Sequence, residues 1–285
     1  MIRFDLYSAQ FDSLEDEKEI LQYMNISRRK AIGTAGLAVG AFLAGQFSSV
    51  SAEKPQKEEA VEWKPVKLDS KKVAARAYEI YPEGSCMYAA FTAIATAMAE
   101  AAAKVNPALS QALKNFPCQM FKYGHSGLGG QGTLCGAVNG ACAIFGLFVH
   151  DKAKLDTLTA ELCGYYETTE LPIFKPKSSK FEPMPASVSG SVLCHISQMK
   201  WCEKSNQSPF SEFRSDRCKR LTADIAAKAV EILNRYAESE DAKFKSASTA
   251  NARCVQCHGK KGTAANVSAK MNCIPCHGEK EDHYN

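Results

Sequence analysis

Between residues 221 and 236, Leu221, Ile225, Ala229, Ile232 and Tyr236 follow the three-and-four spacing that places side chains on one helical face. This stripe predicts a long amphipathic helix whose apolar side is core. Leu155, Leu158 and Leu162 keep the same spacing inside a helix expected over 152–166. Further helices are expected over 71–81, 85–105, 108–121 and 133–150, the second of them rich in alanine (Ala89, Ala90, Ala93, Ala95, Ala97, Ala99). The pattern lapses at 171–188. There Pro172, Pro176, Pro183 and Pro185 stand among Lys175, Lys177, Lys180 and Glu182, which reads as a surface connection with room for a short strand. From 238 to 285 the chain is polar, with Glu238, Ser239, Glu240, Lys245 and Ser246 opening a stretch too poor in large apolar residues to bury a core of its own. The expected fold is mainly α. It comprises a helical domain over 71–237, an extended arm at 53–70 suited to wrapping a partner, and an irregular C-terminal segment at 238–285.

Composition narrows this picture. A chain of 285 residues, 45% hydrophobic and 23% charged, is ordinary for a soluble core and excludes a disordered or collagen-like protein. A net charge of +4 from 35 basic and 31 acidic residues is too balanced for a dedicated nucleic-acid binder. Twelve cysteines are the anomaly, too few for a disulfide miniprotein and too many for an enzyme that merely tolerates thiols.

Residues 1–52 read as a leader. Ser27-Arg28-Arg29-Lys30 precedes an apolar, small-residue run at 31–47, and Val50-Ser51-Ala52 offers small residues for cleavage. A twin arginine before such a run marks the twin-arginine export route, which carries folded proteins to the periplasm. Gly33, Gly36, Gly40 and Gly45 interrupt the run, which is short for the roughly 30 Å of hydrocarbon in a bilayer, so no stable membrane anchor is expected. The first residues are acidic for a signal (Asp12, Glu15, Asp16, Glu17, Glu19), and Met24 is the expected start of translation.

Cys254-Val255-Gln256-Cys257-His258 and Cys273-Ile274-Pro275-Cys276-His277 are two C-x-x-C-H motifs. Each cysteine pair suits thioether addition across the two vinyl groups of one haem c, and the adjacent histidine, His258 or His277, is then the proximal iron ligand. Two such pairs could instead hold one zinc, but the histidine directly following each pair favours two covalent haems. They would also supply the core that the tail lacks. The second axial ligands remain open among His125, His150, His195, His283 and Met271.

Eight cysteines remain: Cys86, Cys118, Cys135, Cys142, Cys163, Cys194, Cys202 and Cys218. Disulfides are the default in the periplasm. Cys135 argues for something else, because it sits in a glycine-rich loop at 124–137 that runs into a helix, a setting that stabilises a thiolate or an anion. Gly136 and Gly140 leave that helix bare on one face.

Cys86, the run Gly132-Thr133-Leu134-Cys135-Gly136-Ala137-Val138-Asn139-Gly140-Ala141, Cys194 and Cys218 resemble the redox family defined by a C…GCAxxG…C…C pattern, with the central motif here reading C-G-A-x-x-G. With the leader and the two-haem tail, the whole mature chain resembles the split-Soret cytochrome c family of sulfate-reducing bacteria. That resemblance implies a homodimer with two stacked haems per subunit, bis-histidine ligation shared across the interface, and an iron–sulfur cluster of the 2Fe–2S type. It makes Cys86, Cys135, Cys194 and Cys218 the cluster ligands, with Cys202 an alternative to Cys218. It makes His195 the first choice of distal haem ligand and His125 the second. The implied function is periplasmic electron transfer to a redox partner protein rather than catalysis. An oxidoreductase acting on a small substrate at the glycine-rich pocket is the alternative.

Overall fold

The computed structural model describes residues 63–240, 242–244 and 251–278. The leader, the start of the arm at 53–62, and His283 lie outside the described residues.

The central element is α1, Ser70–Ala102, capped by the Asp69 carboxylate, which accepts from the Lys71 and Lys72 amides. It joins two helices expected separately. Ser85, at φ 64° and ψ −164°, breaks the helical path three residues after Pro82. Beyond the break Met87, Phe91, Ile94 and Met98 are buried along with Ala89, Ala90, Ala93 and Ala95. Those small side chains let neighbours approach α1 from every side. The helix expected over 108–121 is shorter: α2, Pro107–Lys114, gives way at Pro117 to a 3₁₀ helix, Cys118–Gly124. α3, Gly136–Phe148, and α4, Lys152–Thr168, follow, the latter capped by Asp151.

The proline-rich connection is closed by two short antiparallel strands, β1 (Glu170–Leu171) and β2 (Ser187–Val188), with Glu170 opposite Val188. α5, Cys194–Ser205, was not expected, since CHISQMKWCEKS carries little apolar periodicity; it ends at Asn206 in the left-handed region. α6, Glu212–Glu238, carries the predicted stripe and starts two turns earlier than the stripe does, capped by Ser211. α1 packs principally against α6 and α3, and α4 closes the other side.

The described part of the arm lies extended against this same chain. Trp63, Val66 and Leu68 pack on the core, and Leu68 exchanges backbone hydrogen bonds with the Asn234 side chain (2.9 and 2.8 Å). After α6 the C-terminal segment holds only α7 (Ala252–His258) and α8 (Ile274–His277), neither with a buried residue. Asparagines tie it together. Asn251 donates to the Met271 carbonyl (3.1 Å), and Asn272 donates to Gly190 of the helical domain (3.0 Å).

Candidate functional site

The loop 124–132 uses glycine where side chains cannot go. Gly127, Gly129, Gly130 and Gly132 all have positive φ, and a Cβ on Gly127 would collide with the Thr133 amide. The loop delivers residues 132–135 onto residues 192–195. Leu134 and Leu193 form an isolated antiparallel bridge, Cys135 N–H donates to Val192 (2.9 Å), and Cys194 N–H donates to Thr133 (2.7 Å). This bridge aligns the starts of α3 and α5, so Cys135 (the N-cap of α3) and Cys194 (the first residue of α5) are neighbours at two helix N-termini. Cys86 joins them from the first turn after the Ser85 break in α1, and Cys218 from the early turns of α6.

These four thiols line one enclosed cavity of about 20 Å³, room for one small ion or water. Tyr81, Ser126, Tyr166, Gln198, Arg214, Arg217, Leu221 and Thr222 complete its wall. Cys202, on α5, does not reach the cavity, whereas Cys218 does. Among the described residues no three His, Cys, Asp or Glu side chains stand closed around one point at metal-binding separation, so the thiols surround the cavity without contracting on it. None of the twelve cysteines is in a disulfide.

Burial keeps the Cys86, Cys135 and Cys194 thiols protonated unless a cation arrives. Burial, then the charges of Cys135, Cys218 and Cys194, push the Cys86 thiol up. Burial pushes Cys194 up to about 12, reinforced by Cys135 and Cys218, with Gln198 donating to its sulfur at 3.0 Å. Cys135 is raised by burial too, against the opposing influence of the nearby Tyr166 hydroxyl and the Ala137 amide. A coordinated metal inverts this balance by holding the sulfurs as thiolates. The wall is also short of acceptors: the Tyr166 hydroxyl and Arg217 Nε are buried without hydrogen-bond partners. Four thiols and two unsatisfied donors fit a compact metal–sulfur group carrying negative charge.

His195 follows Cys194 directly and is exposed. Its Nδ1 lies 2.9 Å from the Gly132 carbonyl, which only accepts, so Nδ1 donates there and Nε2 is the nitrogen turned away from that contact. His125 is exposed in the glycine-rich loop. In the tail, His258 Nδ1 lies 3.0 Å from Asn266 Oδ1. The two C-x-x-C-H motifs adjoin: burial and then the neighbouring Cys254 thiol raise Cys273. Cys257, Cys276 and His277 lie in α7 and α8 beside these residues.

Tyr166, Arg217 and Asn266 escaped the sequence reading. Arg217 had left a trace, since 217, 221 and 225 extend the stripe back one turn and put a charge on a core face.

A helical domain that gathers thiols around one cavity, joined to a tail with two C-x-x-C-H motifs, defines an electron-transfer redox protein. Residues 88–232 match the family described as "Putative redox-active protein (C_GCAxxG_C_C)". The chain is similar to split-Soret cytochrome c of Desulfovibrio desulfuricans, 39% identical over 85% of this chain and 91% of the relative. It is also similar to a solved structure described as "A novel iron centre in the split-Soret cytochrome c" from the same species. There the identity is 37% and the TM-score 0.69, covering 78% of this chain and 93% of that one. The chain belongs to the split-Soret cytochrome c family.

Proposed function

We propose that this chain is a periplasmic multi-centre electron carrier with two covalent haems c and a compact iron–sulfur centre. The observation that carries this reading is the convergence of Cys86, Cys135, Cys194 and Cys218 on one cavity, with His195 one residue beyond Cys194 at the surface. These four cysteines hold the centre, which we take to be of the 2Fe–2S type. Cys254, Cys257, Cys273 and Cys276 are the haem anchors, with His258 and His277 as proximal ligands. Bound haem and cluster iron would supply one-electron exchange between Fe(III) and Fe(II). Cys194 and His195 then place the centre and a distal haem ligand on consecutive residues, with His125 the other candidate. Asn272, next to Cys273, docks the second motif at Gly190, a few residues before Cys194. An exposed His195 with Nε2 turned away from the Gly132 contact suits a haem supplied by a second copy of the chain, in a homodimer. A redox partner protein in the periplasm gives and takes the electrons.

Export rests on the twin-arginine leader, which lies outside the described residues; among the described residues no helix is long and apolar enough to cross a membrane. Iron, acid-labile sulfide and pyridine haemochrome assays on anaerobically purified protein test the proposal. Two haems per chain with two further irons and two sulfides are expected. Fewer than two haems, or haem iron alone, would overturn the corresponding part.

A further inference from the structure

Arg217 sits in the cavity wall at 2% exposure, yet it takes no part in the ion pairs of α6. Along that helix Arg220 pairs with Asp216 and Glu182, and Lys228 and Arg235 pair with Glu161. The Arg217 guanidinium instead donates through Nη2 to Ser197 Oγ (2.8 Å) and the Ser197 carbonyl (3.4 Å), while Nη1 lies 3.9 Å from Cys218 Sγ. Its Nε has no partner. Tyr166, 1% exposed on α4, presents a hydroxyl that faces Cys135 and Ser197 but meets neither at hydrogen-bonding geometry. A buried guanidinium with no carboxylate at ion-pair distance among the described residues, and two buried donors without acceptors, are costly unless the cavity's occupant is itself negative and rich in acceptors. Four thiolates around iron meet both conditions.

Resting on the iron–sulfur reading above, we infer that Arg217 is the built-in counter-charge of the four-cysteine centre. Arg217 Nε and the Tyr166 hydroxyl donate to its sulfur atoms and set its reduction potential. Reduction adds one electron from a redox partner protein, takes one iron from Fe(III) to Fe(II), and adds one negative charge to a buried site. A fixed cation and two donors stabilise that extra charge more than the oxidised state, so they raise the potential. Arginine suits the task because it keeps its charge at every working pH. Ser197 fixes the direction of the guanidinium.

The test is a redox titration of the non-haem centre, followed by electron paramagnetic resonance in the full-length, haem-loaded protein, with the haem midpoints as internal reference. Tyr166→Phe removes one donor at almost no cost in volume. Arg217→Gln removes the charge, and Arg217→Lys keeps the charge but loses Nε. Arg217→Gln is expected to shift the oxidised-to-reduced ratio at fixed potential at least tenfold toward oxidised, about 59 mV for one electron. Tyr166→Phe should shift it in the same direction by less, and Arg217→Lys should recover part of the loss. Loss of the centre's iron in Arg217→Gln with retention in Arg217→Lys also supports the counter-charge. Wild-type midpoints and iron content in both Tyr166→Phe and Arg217→Gln would overturn the inference, as would loss of iron in both arginine variants with an unmoved Tyr166→Phe midpoint. Absence of non-haem iron from the wild-type protein would instead overturn the proposed function on which the inference rests.

Discussion

Gly136 and Gly140 stand four residues apart on the face of α3 that meets α1. A Cβ on Gly136 would come within 2.5 Å of Cys86 Sγ and closer still to the Gly124 carbonyl, while one on Gly140 would strike the Met87 carbonyl. Backbone cannot step aside as a flexible side chain can. Gly136→Ala should therefore cost about 1–3 kcal/mol in chemical denaturation and displace Cys86 from the cavity, with loss of the centre's iron but not of the haems. An unchanged iron content would contradict the tight contact. Asp224, 5% exposed on α6, gives a second test. Burial pushes its carboxyl up to about 7, against the Ile173 and Phe174 amides and the charges of Arg217 and Arg220. An unfolded aspartate titrates near 3.9, so the folded chain holds this proton more tightly. The stability from that proton is fully present below about pH 4 and is lost as pH rises through 7. Asp224→Asn should gain on wild type by about 2–4 kcal/mol between pH 4 and pH 8, read from urea midpoints. A difference independent of pH would refute it. Single residues were readable in the sequence wherever chemistry dictates a spacing, as in the two C-x-x-C-H motifs. Tyr166 was not, because its role depends on where α4 passes Cys135, and that contact is set by packing rather than by local sequence.

At the scale of elements, α6 shows both what periodicity reveals and what it hides. Leu221, Ile225, Ala229 and Ile232 are all buried, as their spacing required. Just before Leu221 the buried face becomes ionic. Arg220, 1% exposed, donates to Asp216 (2.8 Å), Glu182 (2.7 Å) and the Phe181 carbonyl (3.0 Å), and Asp216 also accepts from Tyr78 (2.5 Å). This network pins the proline-rich connection to α6 and α1. A hydrophobic pattern treats Asp216, Arg217 and Arg220 as solvent-facing, so the first turns of α6 were invisible. α5 was missed for a related reason: its first turn is fixed by the bridge between Leu134 and Leu193, a contact distant in sequence. Arg220→Met should destabilise the protein by about 3–5 kcal/mol, since it leaves the Asp216 charge buried without its partner. Replacing Asp216 and Arg220 together with Asn and Met should cost less than the two single changes added. Strict additivity in that cycle would show that the pair does not act as a unit.

Across the whole molecule the contrast lies between a helical unit with a continuous core and a tail with none. Among the described residues of 251–278 only Asn251 is buried, and the segment is held by hydrogen bonds of Asn251, Asn266 and Asn272. Such bonds contribute about 1 kcal/mol each, far below the conformational entropy of ordering a segment of this length. On the proposed reading two porphyrins supply the tail's core, whereas the helical unit buries its own, from Phe91 and Met98 to Ile232. This division predicts a two-part response to haem. In protein made without haem attachment, brief proteolysis should remove residues beyond about 245 and leave the helical unit intact. With both haems attached the same treatment should spare the tail. Asn272→Ala should restore some cleavage in the haem-loaded protein, because it frees the second motif from Gly190 while leaving both attachment sites whole. Mass spectrometry of the fragments reads all three outcomes. A tail that resists cleavage equally with and without haem would mean that its asparagine contacts suffice, and that the porphyrins are passengers rather than its core.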